Sequence, residues 1–340
     1  MIIDLEHHYA LHDPNAPDKQ HRAWATPEQE SNNPMWGDSL PENPQAKEGL
    51  GLRNVPSRSG WDVERHLAFM DEVGIDLAVM TGHMHHSALD KVKAYHDACA
   101  KIVADHPDRF VGFASVSPLG GDAAFKELER AVKELGMKGV IIASRIDNQF
   151  LDSKDFWPFY ELCTELKIPI DLHIASICDG YDALYAPWAL YYIMAREMDI
   201  TATTFRLIFG GVLEAFPDLD IIVNHFGGAL VAVKDRMDLY VELCGDAFYR
   251  DEPLISRPWN EYLDKLYFNM AGRGRGIGTV KSALNFISPK KMMFGTDWPL
   301  NYENDPDLCK GYIDDINGLD LAQEDIDDML GGNAARLLGL

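Results

Sequence analysis

The chain has 340 residues, of which 31 are Lys or Arg and 54 are Asp or Glu, so its formal net charge is −23. Such an acidic chain would repel a nucleic acid, because binding to DNA or RNA depends on basic side chains that neutralise phosphates. Hydrophobic residues make up 46% of the chain, and no apolar stretch reaches the roughly 18 to 20 residues that cross a bilayer. The composition therefore predicts a soluble globular protein with neither nucleic-acid nor membrane partners.

The N-terminal sequence MIIDLEHHYA has no basic segment followed by a long apolar one, so we predict no secretory signal and a cytoplasmic location. The five cysteines are far apart and form no C-x-x-C pair. Their spacing argues against both a disulfide framework and a thiolate zinc site.

Short apolar runs alternate with amphipathic stretches along the chain. The amphipathic stretches have apolar residues at intervals of three and four, as helices do, and four of them lie at residues 61–73, 89–105, 123–135 and 156–166. The apolar runs predict eight strands, at residues 2–6, 75–80, 110–116, 139–143, 168–173, 220–225, 266–270 and 291–296. An α/β chain in which a helix follows each of eight strands predicts a single (β/α)8 TIM barrel over residues 1–340 rather than an open sheet.

One long segment interrupts this alternation directly after the first strand. Residues 10–60 are polar and rich in Pro and Asn, and they include Trp24 and Trp36. Because the segment follows strand one, it would extend over the mouth of the barrel, where the active sites of this fold lie. We predict an insertion that is either a substrate lid or a solvated or oligomer contact.

Polar side chains with metal-binding chemistry occur at the ends of four predicted strands. Glu6 and His8 end strand one, and their spacing of two places both side chains on one face, with His7 on the other. The other members of the set end strands five and six or follow strand eight, and they are His173, His225 and Asp297. All five would meet at one rim of the barrel.

Imidazole nitrogens and carboxylate oxygens are common ligands of divalent metal ions. A single His at a strand end is more often a structural residue, but five such side chains at one rim are hard to explain in that way. We predict a metal ion bound by four of them, with an open position for water or substrate, and the four ligands are Glu6, His8, His173 and Asp297.

Several sequence strings, taken in order, resemble the metal-dependent amidohydrolase superfamily. The opening LEHHY is similar to the L-E-x-H-[FY] motif of its aromatic-acid decarboxylase branch, whereas other members, including aminocarboxymuconate-semialdehyde decarboxylase, open with H-x-H. The resemblance continues through KGVIIASRIDNQFLDSKDFWPFYELCTELKIPIDLH, FRLIFGGVLEAFPDLDIIVNHFGG, FGTDWP and the closing GGNAARLLGL. It covers nearly the whole chain outside residues 10–60.

The resemblance implies a metal, an activity and an assembly. It implies one divalent metal ion, zinc or manganese, bound at the four positions given above. The position of His225 would be an acid/base or substrate-orienting residue, and Asp297 would also protonate the substrate carbon. The implied activity is nonoxidative decarboxylation of a hydroxylated aromatic or related unsaturated carboxylic acid, and the implied assembly is a homodimer or a larger homo-oligomer.

The same residues would also serve a metal-dependent hydrolase of a small amide or lactone. In that case the metal lowers the pKa of a bound water towards about 7, and Asp297 takes its proton during attack on the carbonyl. The two mechanisms differ in whether a substrate carboxylate or a water occupies the open position. A barrel without activity, used for binding or scaffolding, would require that the rim residues bind no metal.

An anionic substrate in a chain of this charge requires local positive charge. Arg145 follows strand four, and Arg273 and Arg275 follow strand seven, so all three would lie near the rim, where a guanidinium can bind a carboxylate. The alternative for each is a surface or ion-paired arginine. After strand two, the string HMHH at residues 83–86 reaches the same rim, and we predict that His83 lines the pocket, with a second metal site as the alternative.

Overall fold

The computed structural model describes residues 1–11, 60, 62–147, 149–174, 184, 190, 194–245, 248, 254–271, 276–299, 301–302 and 305–340. Within these ranges the chain is an α/β fold in which strands and helices alternate. Most of the predicted insertion at residues 10–60 lies outside the described residues, and so do Arg273 and Arg275.

Eight parallel strands form two sheets in the described part of the chain. The first sheet contains β1 (Ile3–His8), β2 (Leu77–Thr81) and β3 (Phe110–Gly112), in the order β1-β2-β3. A short antiparallel pair, β5 (Arg145–Ile146) and β6 (Gln149–Phe150), follows β4 (Val140–Ala143). The second sheet contains β4 together with β7 (Ile170–His173), β8 (Ile221–Val223), β9 (Tyr267–Asn269) and β10 (Met292–Met293), in the order β10-β9-β8-β7-β4. Each of the eight predicted strands overlaps one of these parallel strands.

Backbone contacts also connect the two sheets at their edges. Ala114, just after β3, forms a parallel bridge with Val140 of β4. On the other side, the amide of Leu5 in β1 donates a hydrogen bond of 3.0 Å to the carbonyl of Phe294, just after β10. Strand β1 therefore has a hydrogen-bonded neighbour on each side.

The helices of the described ranges lie between the strands, and the four predicted amphipathic stretches are present as the first four helices. The bounds are α1 (Val63–Val73), α2 (Leu89–Asp105), α3 (Gly121–Lys133), α4 (Trp157–Leu166), α5 (Arg196–Phe209), α6 (Val212–Ala215), α7 (Leu230–Cys244), α8 (Trp259–Leu263), α9 (Gly276–Ala283), α10 (Pro306–Asn317), α11 (Gln323–Asp327) and α12 (Asn333–Leu338). Among these helices, none combines the length and the apolar character that a membrane span requires.

Strand residues are buried on both faces of the sheets. In β4 three consecutive residues, Val140, Ile141 and Ile142, are buried, and a continuous apolar run of this kind is typical of parallel strands that are covered on both faces. Strand β1 departs from this pattern, because the polar residues at its carboxyl end, Glu6, His7 and His8, are buried. The predicted metal site lies at this end of the strand.

A register shift in β1 sets the direction of its polar side chains. The pairing with β2 slips between Asp4 and His7, and these two residues, three apart, contact each other through Oδ2 and Nδ1 at 2.7 Å. A regular period of two would put residues three apart on opposite faces. Bulges of this kind redirect side chains next to active sites, and here Glu6 and His8 face the site while His7 faces away from it.

Candidate metal centre

Two strands and one loop bring four side chains together at the carboxyl ends of the strands. Glu6 and His8 lie on β1, His173 ends β7 and Asp297 lies in the loop after β10. One ligand atom from each of the four lies within 4.8 Å of those of the others. Two imidazole nitrogens and two carboxylate oxygens at this spacing are a donor set that fits a divalent metal ion.

The carboxylate of Glu6 is at the centre of this set and is fully buried. Its Oε1 lies 3.3 Å from Nε2 of His173 and 3.3 Å from Nε2 of His225. Burial raises the pKa of Glu6, but the charges and hydrogen bonds of the two imidazoles outweigh that effect and hold the pKa well below its usual range. A buried carboxylate that stays charged requires a cationic partner or a metal, so this residue fits a ligand.

Both histidines of the donor set, His8 and His173, have the second ring nitrogen in a polar contact. Nδ1 of His173 donates to the carbonyl of Ile174 at 3.0 Å, and Nδ1 of His8 lies 3.0 Å from Oγ1 of Thr81. Metal-binding histidines commonly have such a bond, which fixes the ring and directs the other nitrogen to the metal. Burial lowers the pKa of His173 despite the nearby Glu6, so its imidazole is held in the neutral form that binds a metal.

An unusual backbone conformation places Asp297 beside the other three donors. Its φ is 58°, in the left-handed region that few residues other than glycine, asparagine and aspartate adopt. Its amide donates to the carbonyl of Glu6 at 2.9 Å, and its Oδ2 accepts a hydrogen bond of 2.7 Å from Nδ2 of Asn301. Its Oδ1 lies 3.0 Å from Nε2 of His8. The loop after β10 is thus fixed to β1 at the site.

His225 lies beside the four donors and outside the set they form among the described residues. Its φ of 54° also lies in the left-handed region, within a tight turn at Asn224–Gly227. Nε2 faces Glu6, and Nδ1 lies 3.6 Å from Oε1 of Glu197. Burial lowers the pKa of His225, but the two carboxylates outweigh it and raise the pKa to about 10.

His83 reaches the same site from the loop after β2. Its ring centroid is 4.2 Å from that of His173 and 5.0 Å from that of His8. One nitrogen from each of these three residues also lies within 4.8 Å of the others. Burial, followed by the neighbouring imidazoles, lowers the pKa of His83 well below its usual value. The ring is therefore a neutral group beside the donor set.

Of the three arginines predicted to bind substrate, Arg145 is the one within the described residues. Its Nε lies 2.5 Å from Oδ1 of Asp199, and its guanidinium packs 3.8 Å from the ring centroid of Phe150. The charge of Arg145 is thus shared with a carboxylate, and its contact with substrate stays a prediction.

Sequence reasoning missed two groups that support the site. The first is Asp4, which is fully buried; its carboxylate accepts from the amide of Thr296 at 2.8 Å and from the hydroxyl of Thr296 at 2.5 Å. Asp4 also contacts His7, whose ring stacks on Trp298 with centroids 4.8 Å apart. The sequence signal that could have identified Asp4 is its position: it is a carboxylate inside an apolar strand, two residues before Glu6.

The second group is Asn269, at the end of β9. Its Nδ2 lies 2.9 Å from Oε2 of Glu6, to which it donates, and 3.1 Å from Oδ1 of Asn224. The neighbouring Gly295 lets this amide approach, because a Cβ at that position would lie 2.3 Å from Oδ1 of Asn269. Asn269 orients Glu6, and nothing in its local sequence marks that contact.

Comparisons with known proteins identify relatives of this chain. The family described as Amidohydrolase matches residues 44–340. A 2-amino-3-carboxymuconate-6-semialdehyde decarboxylase of Dictyostelium discoideum is 25% identical over 302 residues and covers 86% of this chain and 80% of that protein. A gamma-resorcylate decarboxylase of Polaromonas sp. JS666 is 28% identical over 265 residues and covers 71% of this chain and 77% of that protein.

A solved structure extends the comparison to the fold. The crystal structure of a dihydroxybenzoic acid decarboxylase from Polaromonas sp. JS666, with bound manganese and the inhibitor 2-nitroresorcinol, matches with a TM-score of 0.76 at 23% identity. The match covers 100% of this chain and 97% of that chain. The resemblance drawn from the sequence motifs is confirmed by these relatives and by a family match that spans most of the chain. The chain belongs to the amidohydrolase family.

Proposed function

We propose that this chain is a metal-dependent, nonoxidative decarboxylase of a hydroxylated aromatic or related unsaturated carboxylic acid. The observation that carries the proposal is the buried donor set of two carboxylates and two imidazoles, with His225 directly beside it. The relatives named as decarboxylases of aromatic and semialdehyde acids support it.

The proposed architecture is a single (β/α)8 barrel over residues 1–340. The parallel strand order, the bridge between Ala114 and Val140 and the bond between Leu5 and Phe294 support closure of the two sheets into one barrel. The carboxyl ends of all eight strands would then surround one mouth, where the active sites of such barrels lie. Residues 10–60 would form an insertion or lid over that mouth.

The proposed ligands of the metal are Glu6, His8, His173 and Asp297, and zinc or manganese suits their nitrogen and oxygen donors. When bound, the ion would act as a Lewis acid and a template that holds the substrate carboxylate and a neighbouring oxygen. The solved relative with manganese supports this assignment.

Side chains of the protein would supply and direct the proton that the reaction requires. In decarboxylation the bond between the ring carbon and the carboxylate breaks, carbon dioxide leaves, and the ring carbon takes one proton. Asp297, which is 14% exposed at the mouth side of the set, would deliver that proton. His225 would orient the substrate or set the protonation of Asp297.

The proposed substrate contacts are one histidine beside the proposed ligands and three arginines suited to bind a carboxylate. They are His83, Arg145, Arg273 and Arg275, and the arginines would supply the positive charge that an anionic substrate requires. We further propose a homodimer or larger homo-oligomer located in the cytoplasm, with a small carboxylic acid as the partner of the site.

Carbon dioxide release from metal-reconstituted protein tests the proposed function. The panel contains hydroxybenzoates and related unsaturated acids, with small amides and lactones assayed in parallel. We expect release from at least one acid, and its loss when a chelator removes the metal. Hydrolysis of an amide or lactone without carbon dioxide release would replace this proposal by the hydrolase alternative.

A further inference from the structure

The imidazole of His225 lies between two carboxylates, and the proposed function uses only one of them. Nε2 is 3.3 Å from Oε1 of Glu6, which belongs to the donor set. Nδ1 is 3.6 Å from Oε1 of Glu197, in the first turn of α5. The side chain of Glu197 is 14% exposed and that of His225 is 13% exposed, so water screens this pair only weakly.

Helix α5 is fixed against the turn that carries His225. Oγ1 of Thr201 lies 2.7 Å from the carbonyl oxygens of Glu197 and Gly227. The same hydroxyl accepts a hydrogen bond of 2.8 Å from the amide of Ala229. One buried side chain thus connects the first turn of α5 to both sides of the turn after β8.

Gly228 shows how closely the two elements approach. Its φ is +69°, and a Cβ at this position would lie 2.1 Å from the carbonyl oxygen of Glu197. Only glycine allows both this conformation and this approach. The carboxylate of Glu197 therefore reaches His225 from a helix whose position on the turn is fixed by packing and hydrogen bonds.

We propose that Glu197 is the positioning residue of His225. Its carboxylate accepts a hydrogen bond from the protonated Nδ1 of the ring, and this leaves Nε2 to act at the site. In histidine, the hydrogen bond made by one ring nitrogen fixes the orientation of the ring and thereby sets what the other nitrogen can contact. A separation of 3.6 Å is longer than a hydrogen bond, and catalytic contacts of this kind tighten when substrate binds. This inference rests on the proposed function, because it gives His225 a role at the substrate.

The test measures the ring of His225 directly and turnover separately. The sample is zinc-loaded protein labelled with 15N in histidine, because zinc is diamagnetic and leaves the signals near the centre sharp. The His225 signals are assigned by their loss in His225→Gln. We expect a protonated Nδ1 in the wild type. In Glu197→Ala and in the isosteric Glu197→Gln, the Nδ1 signal should shift, because the carboxylate that accepts its hydrogen bond is gone. The Gln variant serves if the Ala variant does not fold.

A second buried Glu–His pair supplies a matched control. Oε1 of Glu127 lies 2.7 Å from Nδ1 of His96, and both side chains are buried. Glu127→Gln should change the signals of His96 and leave those of His225 as in the wild type. Each variant is also analysed for bound metal, which should remain at the wild-type level in Glu197→Gln.

Turnover supplies the second readout once an acid that releases carbon dioxide is found. We expect kcat of Glu197→Gln to fall by about 10- to 100-fold with KM little changed, and Glu197→Asp to recover part of the loss. Unchanged His225 signals in both Glu197 variants would overturn the inference, as would shifted signals with wild-type kcat. If no acid is decarboxylated, the proposed function fails while the spectra still decide whether Glu197 fixes the ring.

Discussion

At the scale of single residues, the site concentrates charge where water is excluded. Glu6 is fully buried among imidazoles, and burying a charge costs several kcal/mol unless a partner compensates for it. In the folded protein the compensating charge comes from His225, His173 lies within hydrogen-bond distance of the same oxygen, and a bound cation would add to the compensation. We therefore expect the negative charge of this buried carboxylate to contribute strongly to the affinity for a metal.

Replacing Glu6 by Gln tests its role as a ligand. The amide keeps the size of the side chain but removes the negative charge, so we expect the affinity for metal to fall by more than about 100-fold, since outer-shell changes alone cost roughly 10- to 100-fold. Metal analysis after gel filtration measures this loss, with circular dichroism to show that the fold is kept. The control is Glu129→Gln, an exposed carboxylate paired with Lys133, which should retain its metal. Full metal content in Glu6→Gln would remove Glu6 from the ligand set.

Replacing His225 by Gln separates chemistry from metal binding. Because His225 lies beside the four donors rather than among them, the variant should keep its metal but lose roughly 100- to 10,000-fold in turnover, the range of a lost acid/base group. Carbon dioxide release and metal content are measured on the same sample. His106→Gln, at the end of α2, is the control and should retain full turnover. Near wild-type turnover in His225→Gln would exclude the residue from the mechanism.

At the scale of elements, the sequence predicts the strands because their apolar runs are continuous, as parallel strands covered by helices require. The positions of Glu6, His8, His173 and Asp297 also follow from the sequence, since strand ends of parallel sheets meet at one edge. What the pattern does not contain is the register shift in β1 and the left-handed backbone at His225 and Asp297. These features depend on contacts between segments far apart in the chain, such as Asp4 with Thr296. The contact of Glu197 with His225 escapes sequence reasoning for the same reason.

The packing of α2 against α3 predicts a pH dependence of stability that does not involve the site. Nε2 of His96 accepts a hydrogen bond of 3.1 Å from the amide of Ser115, and Nδ1 contacts Glu127. Burial lowers the pKa of His96, although Glu127 raises it. The unfolded chain therefore takes up a proton near pH 6.5 that the folded chain does not, so stability is present above that pH and is lost as the pH falls below it.

Urea unfolding at pH 7.5 and pH 5.5 measures this effect. A histidine that stays neutral in the folded protein contributes a loss of at most about 1.4 kcal/mol between these two pH values. The wild type should lose more stability than His96→Gln by up to that amount, since Gln cannot titrate. An equal loss in both proteins would show that His96 takes up its proton in the folded state.

At the scale of the whole molecule, the candidate metal centre joins segments from both ends of the chain and from its middle. Glu6 and Asp297 are almost the full sequence apart, and His173 lies between them. These proposed ligands meet only when β1, β7 and the loop after β10 are in their folded places. A metal bound at this centre would therefore bind the folded chain far better than the unfolded one, so we expect metal binding to be coupled to folding.

Removing the metal should consequently lower the melting temperature of the whole molecule. A ligand present at 100 times its dissociation constant stabilises the folded state by about 2.7 kcal/mol. Differential scanning calorimetry of metal-loaded and chelator-treated protein measures the shift, and adding manganese or zinc back should restore it. Glu6→Gln is the internal control, because a variant without the centre should melt at one temperature under all three conditions. If the metal-loaded and the chelator-treated wild type have the same melting temperature although metal analysis shows a bound ion in the loaded sample, the ion does not bind at the candidate metal centre.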